Sequence, residues 1–301
     1  MIIRQTLTLA CLMSFSSCGL EKVTRYLTKV KTSQPYKLEL YDQNANFRLI
    51  ATDAPFSYDY VTKAELTVSS VLVGDSNGIY KELLKKSRQI DILTLRNGNV
   101  SLLSEATLAP GKYREIKVSF STATVHLKDG RIFNLSVPQS ALSGISVPIG
   151  PVLEVAPTAT PSSATPKVTD LLVDFDLSRS FLPTGDTSAV EKVTGFTFFP
   201  VLRTADVALC GVVAGVVISD NGTPVNPLDD KKVLGAIAEI SQGSSSFTAI
   251  TDEDGVYQFI GVQHGKYTVK VKAIGHTVGQ PQEVEVRKEE LSTLRTYLVK
   301  N

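Results

Sequence analysis

Val125-His126-Leu127-Lys128-Asp129-Gly130-Arg131-Ile132-Phe133-Asn134-Leu135 decides the fold. Two runs with apolar residues at every second place flank Asp-Gly, and glycine accepts the positive φ that a tight reversal requires. This predicts a β-hairpin. The same period of two continues on either side. Ile116, Val118 and Phe120 alternate with Lys117, Ser119 and Ser121. Ala64, Leu66, Val68, Ser70 and Leu72 alternate with Glu65, Thr67, Ser69 and Val71, and Tyr36, Leu38 and Leu40 alternate with Lys37, Glu39 and Tyr41. Such alternation puts one face on a core and the other toward water, as in antiparallel sheets. Only Tyr80-Lys81-Glu82-Leu83-Leu84-Lys85-Lys86 has a helical pattern, and it predicts a short helix or turn.

Further along, Ala156-Pro157-Thr158-Ala159-Thr160-Pro161-Ser162-Ser163-Ala164-Thr165-Pro166 is low in complexity and cannot build a core. It reads as a flexible insertion (156–166) within one fold, because Leu171, Val173, Phe175 and Leu177 after it supply a closing strand, with a second candidate in 196–202. A boundary falls near Ala205 to Gly211. After it Gly211-Val212-Val213-Ala214-Gly215-Val216-Val217 restarts the pattern, Asn221-Gly222 makes a turn, and strands are expected at 237–240, 247–251, 256–260, 267–273 and 283–287. Many short strands in about ninety residues are the signature of a sandwich. The fold class is therefore all-β, with two tandem antiparallel β-sandwich domains of immunoglobulin or transthyretin-like type, at 36–205 and 209–301.

The first residues set the address. Arg4 precedes the apolar run Leu7-Thr8-Leu9-Ala10-Cys11-Leu12-Met13-Ser14-Phe15, and two small residues, Ser16 and Ser17, precede Cys18-Gly19. A charged start, a short apolar middle and small residues at a cut form a secretory signal, here 1–17. Its ending resembles the lipobox of bacterial lipoproteins, with Phe15 where leucine is usual and Ser17 where glycine or alanine is usual. The resemblance implies that Cys18 is acylated, for instance by palmitate, and that 18–35 is a tether to the membrane of a bacterial envelope, the outer membrane in a Gram-negative cell. Several acyl chains hold far better than one, at about 0.8 kcal/mol per buried methylene.

Composition narrows the function. The 301 residues hold 31 basic and 30 acidic side chains, and loss of Arg4 with the signal leaves a formally neutral chain. A neutral chain lacks the basic footprint that nucleic acid demands. With Cys11 removed and Cys18 acylated, Cys210 is the one thiol left, so no intrachain disulfide forms. Its apolar surroundings in sequence predict a buried, inert residue. After the signal no apolar run reaches the roughly 20 residues a membrane-spanning helix needs.

Three stretches carry a resemblance over residues 211–299. They are Gly215-Val216-Val217-Ile218-Ser219-Asp220-Asn221-Gly222-Thr223-Pro224-Val225, then Thr251-Asp252-Glu253-Asp254-Gly255-Val256-Tyr257-Gln258-Phe259, and Gly261-Val262-Gln263-His264-Gly265-Lys266-Tyr267-Thr268-Val269-Lys270-Val271-Lys272-Ala273-Ile274-Gly275. Together they resemble the carboxypeptidase regulatory-like family, a transthyretin-type sandwich. His276 stands where that family has an aromatic residue after the late glycine, and 227–233 reads as an insertion in the early loop. Residues 36–204 resemble a bacterial family of exported proteins of unassigned function. The match rests on Thr52-Asp53-Ala54-Pro55, on Ile90-Asp91-Ile92-Leu93-Thr94-Leu95-Arg96-Asn97-Gly98, on Leu108-Ala109-Pro110-Gly111-Lys112-Tyr113 and on Leu172-Val173-Asp174-Phe175-Asp176-Leu177-Ser178-Arg179-Ser180. It implies an architecture and an envelope location, not a reaction. Pro110-Gly111-Lys112-Tyr113 and His264-Gly265-Lys266-Tyr267 share one device for entering a strand, a common solution rather than a duplication.

Chemistry is sparse. His126, His264 and His276 have no spaced partners of the kind zinc needs, and there is no nucleophile elbow, although a fold-assembled Ser-His-Asp set stays open. Asp53, Asp174 and Asp176 would suit calcium if the fold gathered them. The simpler expectation is that Asp53 makes a turn bond before Pro55 while Asp174 and Asp176 face solvent. Asp252, Glu253 and Asp254 read as a turn. There is no tryptophan, and Tyr58, Tyr60 and Tyr80 are the candidates for an exposed sugar-binding face. The expectation is a lipid-anchored envelope protein with a binding or structural role, no catalysis, no cofactor and no nucleic-acid partner. A glycan or an envelope protein is the expected partner. A carbohydrate-binding protein is the alternative, and an enzyme stands behind it.

Overall fold

Strands predominate in the computed structural model, which describes residues 44–54, 58–156, 168–220, 231–243 and 245–301. The signal at 1–17, Cys18, the tether, the alternation at 36–40, Pro55, nearly all of the 156–166 insertion and the Asn221-Gly222 turn lie outside the described residues. Up to residue 206 the strands are β1 (Phe47–Ala54), β2 (Val61–Asp75), β3 (Tyr80–Glu82), β4 (Arg88–Asp91), β5 (Ser101–Ala106), β6 (Gly111–Leu127), β7 (Ile132–Leu135), β8 (Ile145–Val155), β9 (Thr169–Asp176), β10 (Phe181–Gly185), β11 (Val193–Phe198) and β12 (Leu202–Asp206). A short 3-10 turn, Val207–Leu209, separates these from β13 (Cys210–Asp220), β14 (Lys231–Lys232), β15 (Ile237–Gln242), β16 (Ser245–Ile250), β17 (Val256–Gln263), β18 (Gly265–Lys272), β19 (Gln282–Val286) and β20 (Leu291–Val299).

Two sandwiches result. In the first, a six-stranded sheet (β3-β2-β6-β7, with β4 on β2 and β8 on β6) faces the sheet β12-β9-β1-β5, with the ribbon β10-β11 beside them. Their core joins Leu66, Val118 and Phe120 to Val173, Phe175, Phe181 and Phe198. Phe120 meets Phe175 and Phe198 edge to face at 6.2 and 5.9 Å between ring centres, the arrangement that aromatic quadrupoles favour. In the second, the sheet β14-β13-β17, with β20 on β13, faces β16-β15-β18-β19. Its core holds Val213, Val217, Ile240, Tyr257, Phe259, Tyr267 and Val269. The sheets are not purely antiparallel. β1 runs parallel to β9, and β13 runs parallel to β20, so each sandwich pairs its first strand with a late one.

The Asp-Gly hairpin forms as expected: β6 and β7 pair, Gly130 has φ +88°, and the Leu127 amide donates to Arg131 O at 2.9 Å. In the second sandwich Asp252 Oδ1 accepts the amides of Asp254 and Val256 at 2.9 Å each, so the acidic cluster is a turn. Tyr257 and Phe259 then enter the core two apart.

Two expectations fail. Of the short helix or turn expected at 80–86, no helix forms. Tyr80–Glu82 is instead a strand paired to Gly74 and Leu72 of β2, and the Leu83 amide donates to Val71 O at 2.8 Å. Leu83 and Leu84 are both buried, so burial of two adjacent leucines outweighs a weak helical preference. In β2 the alternation predicts Ser70 and Leu72 on the inner face. Val71 and Val73 occupy it. The β2–β6 register shifts between Val68 and Ser70, and one extra residue turns every later side chain to the other face.

Candidate functional site

The outer face of the sheet β12-β9-β1-β5 carries two adjacent cross-strand rows. Ile50, Leu172 and Ala205 stand opposite one another in the first, and Thr52, Asp174 and Arg203 in the second. The apolar row packs on Cys210, Val212 and Ile260 of the second sandwich. This explains why Gly211 to Ile218 is apolar on both faces: one face meets its own core and the near end of the other meets the first sandwich. Cys210 is buried here, and desolvation pushes its thiol up to about 12, as expected for an inert thiol.

The polar row is tied down as firmly. Arg203 Nε donates to Asp174 Oδ2 at 2.6 Å. Its two terminal nitrogens donate to Gly261 O at 2.9 Å and Ile260 O at 3.2 Å. The guanidinium carbon lies 4.2 Å from the centre of the Phe247 ring. One side chain of the first sandwich thus holds two strands of the second. Gln263 Nε2 adds a bond to Gly150 O at 2.5 Å.

Where this row meets solvent, a cleft of about 430 Å³ opens between the sandwiches. Asp174, Asp176, Ser178, Arg179 and Arg203 form one wall, and Ser245, Ser246, Phe247 and Thr248 form the other. Asp176 caps the helix Leu177–Ser180, accepting from Ser178 Oγ at 2.7 Å and from the Arg179 amide at 3.1 Å. Asp174 is 5% exposed, and its Oδ1 has no hydrogen-bond partner among the described residues. An adjoining cleft of about 20 Å³ is bordered by Thr52, Asp53, Gln258 and Ile260.

The three aspartates singled out from sequence therefore converge, though not as expected. The turn before Pro55 in which Asp53 is expected to bond lies outside the described residues. Among the described residues both of its oxygens are buried without a partner in hydrogen-bonding geometry. Asp174 does not face solvent but is buried against Arg203, and Asp176 is half-buried as a helix cap. Among the described residues no group of three or more His, Cys, Asp or Glu side chains is placed to hold a metal ion.

Burial, then the Asp174 carboxylate, raises the pKa of Asp53 well above the usual carboxylate range. Arg96 opposes this, Asp176 adds to it, and the Leu177 amide lowers it least. Because the folded value is raised, its contribution to stability is fully present below the unfolded value of about 3.9. It is lost as pH rises toward the folded value. Asp53→Asn removes that loss. Urea unfolding at pH 4.5 and 7.5 should show the variant gaining on wild type as pH rises. An equal difference at both pH values would mean that Asp53 is charged in the fold. Comparing the two chains cancels the carboxylates whose pKa values are lowered, such as Glu65.

The other candidates lie elsewhere. His126 Nε2 is 3.0 Å from Glu65 Oε2, and Lys63 Nζ is 2.7 Å from Glu65 Oε1. His276 Nε2 is 3.0 Å from Ser219 Oγ and its Nδ1 is 3.0 Å from Ile274 O. His264 is exposed in a turn. None of the three borders the cleft. Tyr60 is buried, 5.4 Å from the half-buried Tyr58, and Tyr80 bonds Glu115 beneath Lys117 Nζ, 4.1 Å from its ring centre. The tyrosines are engaged in packing and polar bonds, so they form no exposed aromatic platform. Arg203, Arg179, Phe247 and Gly261 were not singled out from sequence. The available signal was an arginine inside the strand pattern Leu202-Arg203-Thr204-Ala205.

Residues 44–190 match the model of a family described as a domain of unknown function, DUF4382. No curated protein matches the chain. Among solved structures, the chain aligns with the Bacillus anthracis TIE protein at 11% identity and a TM-score of 0.27, over 87% of this chain and 42% of that one. It thus spans less than half of that protein. It aligns with GBS52, the minor pilin of Streptococcus agalactiae, at 14% identity and a TM-score of 0.26, over 85% and 96% of the two chains. With BcpA, the major pilin subunit of Bacillus cereus, the values are 11%, 0.25, 84% and 69%. These superpositions are too loose to transfer any residue or role.

Proposed function

We propose that this chain is a lipid-anchored protein of the bacterial envelope with a structural or binding role, in which two β-sandwiches work as one rigid unit. The docked seam carries this reading. An apolar patch, the Arg203 clamp and the Gln263 bond tie the sandwiches together, so relative motion of the two, the default for linked domains, is suppressed. A unit that is rigid, neutral and rich in strands is suited to holding a surface at a fixed distance from a membrane. The divisions 36–205 and 209–301 belong to this reading, supported by separate cores on either side of Val207–Leu209. Membership of 211–299 in the carboxypeptidase regulatory-like family is supported by the Asp252 turn and the buried Tyr257 and Phe259. Among the described residues no helix is long and apolar enough to cross a membrane, and Cys18 supplies the anchor.

Metabolic labelling with an alkyne fatty acid tests the anchor. Wild type should be labelled and Cys18→Ala should not, with the variant released into the soluble fraction. Equal labelling of both would remove Cys18 from the reading.

A further inference from the structure

We propose that the cleft between the sandwiches binds a neutral saccharide. The inference rests on the docking described above, because one wall comes from each sandwich, and it deepens the binding role. Its volume of about 430 Å³ falls within the roughly 300–1,000 Å³ of pockets that hold small ligands. Charge selects the class. Asp174 and Asp176 are balanced by Arg179 and Arg203 around one opening. An anion meets the two carboxylates and a cation meets the two guanidinium groups, so a charged ligand of either sign faces a like-charged pair that an uncharged ligand does not.

The polar groups match hydroxyls. Asp174 Oδ1 is buried beside the cleft and accepts no hydrogen bond among the described residues. A buried acceptor left without a donor is costly, but this oxygen lies beneath the surface, and Asp176, 23% exposed at the rim, is the carboxylate a sugar hydroxyl meets. Arg179 is 69% exposed at its side chain and offers donors from the rim. Ser246 and Thr248 across the opening both donate and accept. Phe247, stacked under Arg203 and packed on the second core, gives the far wall an apolar ring edge. A few fixed polar groups around an apolar patch are what orient a bound sugar.

Calorimetric titration of the purified full chain tests this, with chitotetraose, cellotetraose and maltotetraose as probes and tetralysine and tetraglutamate as charged controls. At least one saccharide should saturate, and its affinity should fall at least about tenfold, which is about 1.4 kcal/mol, in Ser246→Trp and in Arg179→Ala. Both positions are exposed, so the melting temperature should not move. Ser246→Trp fills the opening and remains informative if changes at Asp174 disturb the fold. Three outcomes would overturn the proposal: no saccharide saturating by roughly 10 mM, saccharide binding undiminished in Ser246→Trp, or saturation by a charged peptide alone. None of these touches the docking itself, which small-angle scattering of a Gly261→Ala variant reads separately.

Discussion

Gly261→Ala lowers the stability of the chain by about 2–5 kcal/mol and loosens one sandwich from the other; this is the expected result of two separate costs. Gly261 has φ +65°, a left-handed conformation that costs a residue with a Cβ roughly 1–2 kcal/mol. An added Cβ would also lie 2.4 Å from Leu172 Cδ2 and 3.4 Å from Ala205 Cβ. A leucine tip elsewhere could swing aside. Leu172 is 1% exposed in the seam, so overpacking there costs typically 1–3 kcal/mol. Small-angle scattering should report a larger radius of gyration, and thermal unfolding should split into two transitions. The double variant Gly261→Ala, Leu172→Ala separates the costs. It restores room for the methyl group but not the backbone conformation, so measured against Leu172→Ala alone, which carries its own packing loss, the added methyl should cost only the backbone share. Unchanged scattering and melting in Gly261→Ala would mean that the sandwiches do not approach one another here.

What the sequence discloses is local, and what it conceals is the seam. Asp129-Gly130 and Asp254-Gly255 announce their turns because positive φ leaves few choices of residue, and Phe120, Phe175 and Tyr257 follow because period two reports which face is inner. The same logic fails at Ser70, where a bulge inserts a residue that no propensity marks. It fails at Leu83 and Leu84, where burial against distant strands decides the conformation. The strand Leu291–Val299 escapes prediction because Leu294 and Leu298 pack toward the core four apart, with the buried polar Thr296 between them. The candidate site is harder still. Asp174 and Asp176 stand out as carboxylates in an apolar strand. Their partners could not be read from the chain. Arg203 meets Asp174 through antiparallel pairing 29 residues away, and Ile260 and Gly261 through docking 57 and 58 residues away. An apolar strand such as Gly211 to Ile218 declares that both of its faces are covered, but not by what.

Arg203 is where these long-range relations meet, and Arg203→Ala is expected to be among the most damaging single changes outside the cores. The substitution leaves the Asp174 carboxylate, 7% exposed at its side chain, without its cation. Breaking a buried pair by removing one partner costs typically 3–5 kcal/mol, because the remaining charge stays desolvated. Arg203 is itself 26% exposed at its side chain, which lets water offset part of this, so about 3 kcal/mol is expected. The carbonyls of Ile260 and Gly261 lose their donors as well. At roughly 2–4 °C per kcal/mol for a chain of this size, the melting temperature falls by about 6–12 °C. Arg203→Lys separates charge from geometry. A lysine restores a cation beside Asp174, but it cannot donate to a carboxylate and two carbonyls from one planar fork. It should recover part of the stability while amides along Ile260 to Gln263 still exchange faster than in wild type. Asp174→Asn in the Arg203→Ala background completes the cycle. If the stranded charge is the main cost, neutralising it restores most of the lost stability, and a double variant no more stable than Arg203→Ala would assign the loss to the bonds across the seam instead.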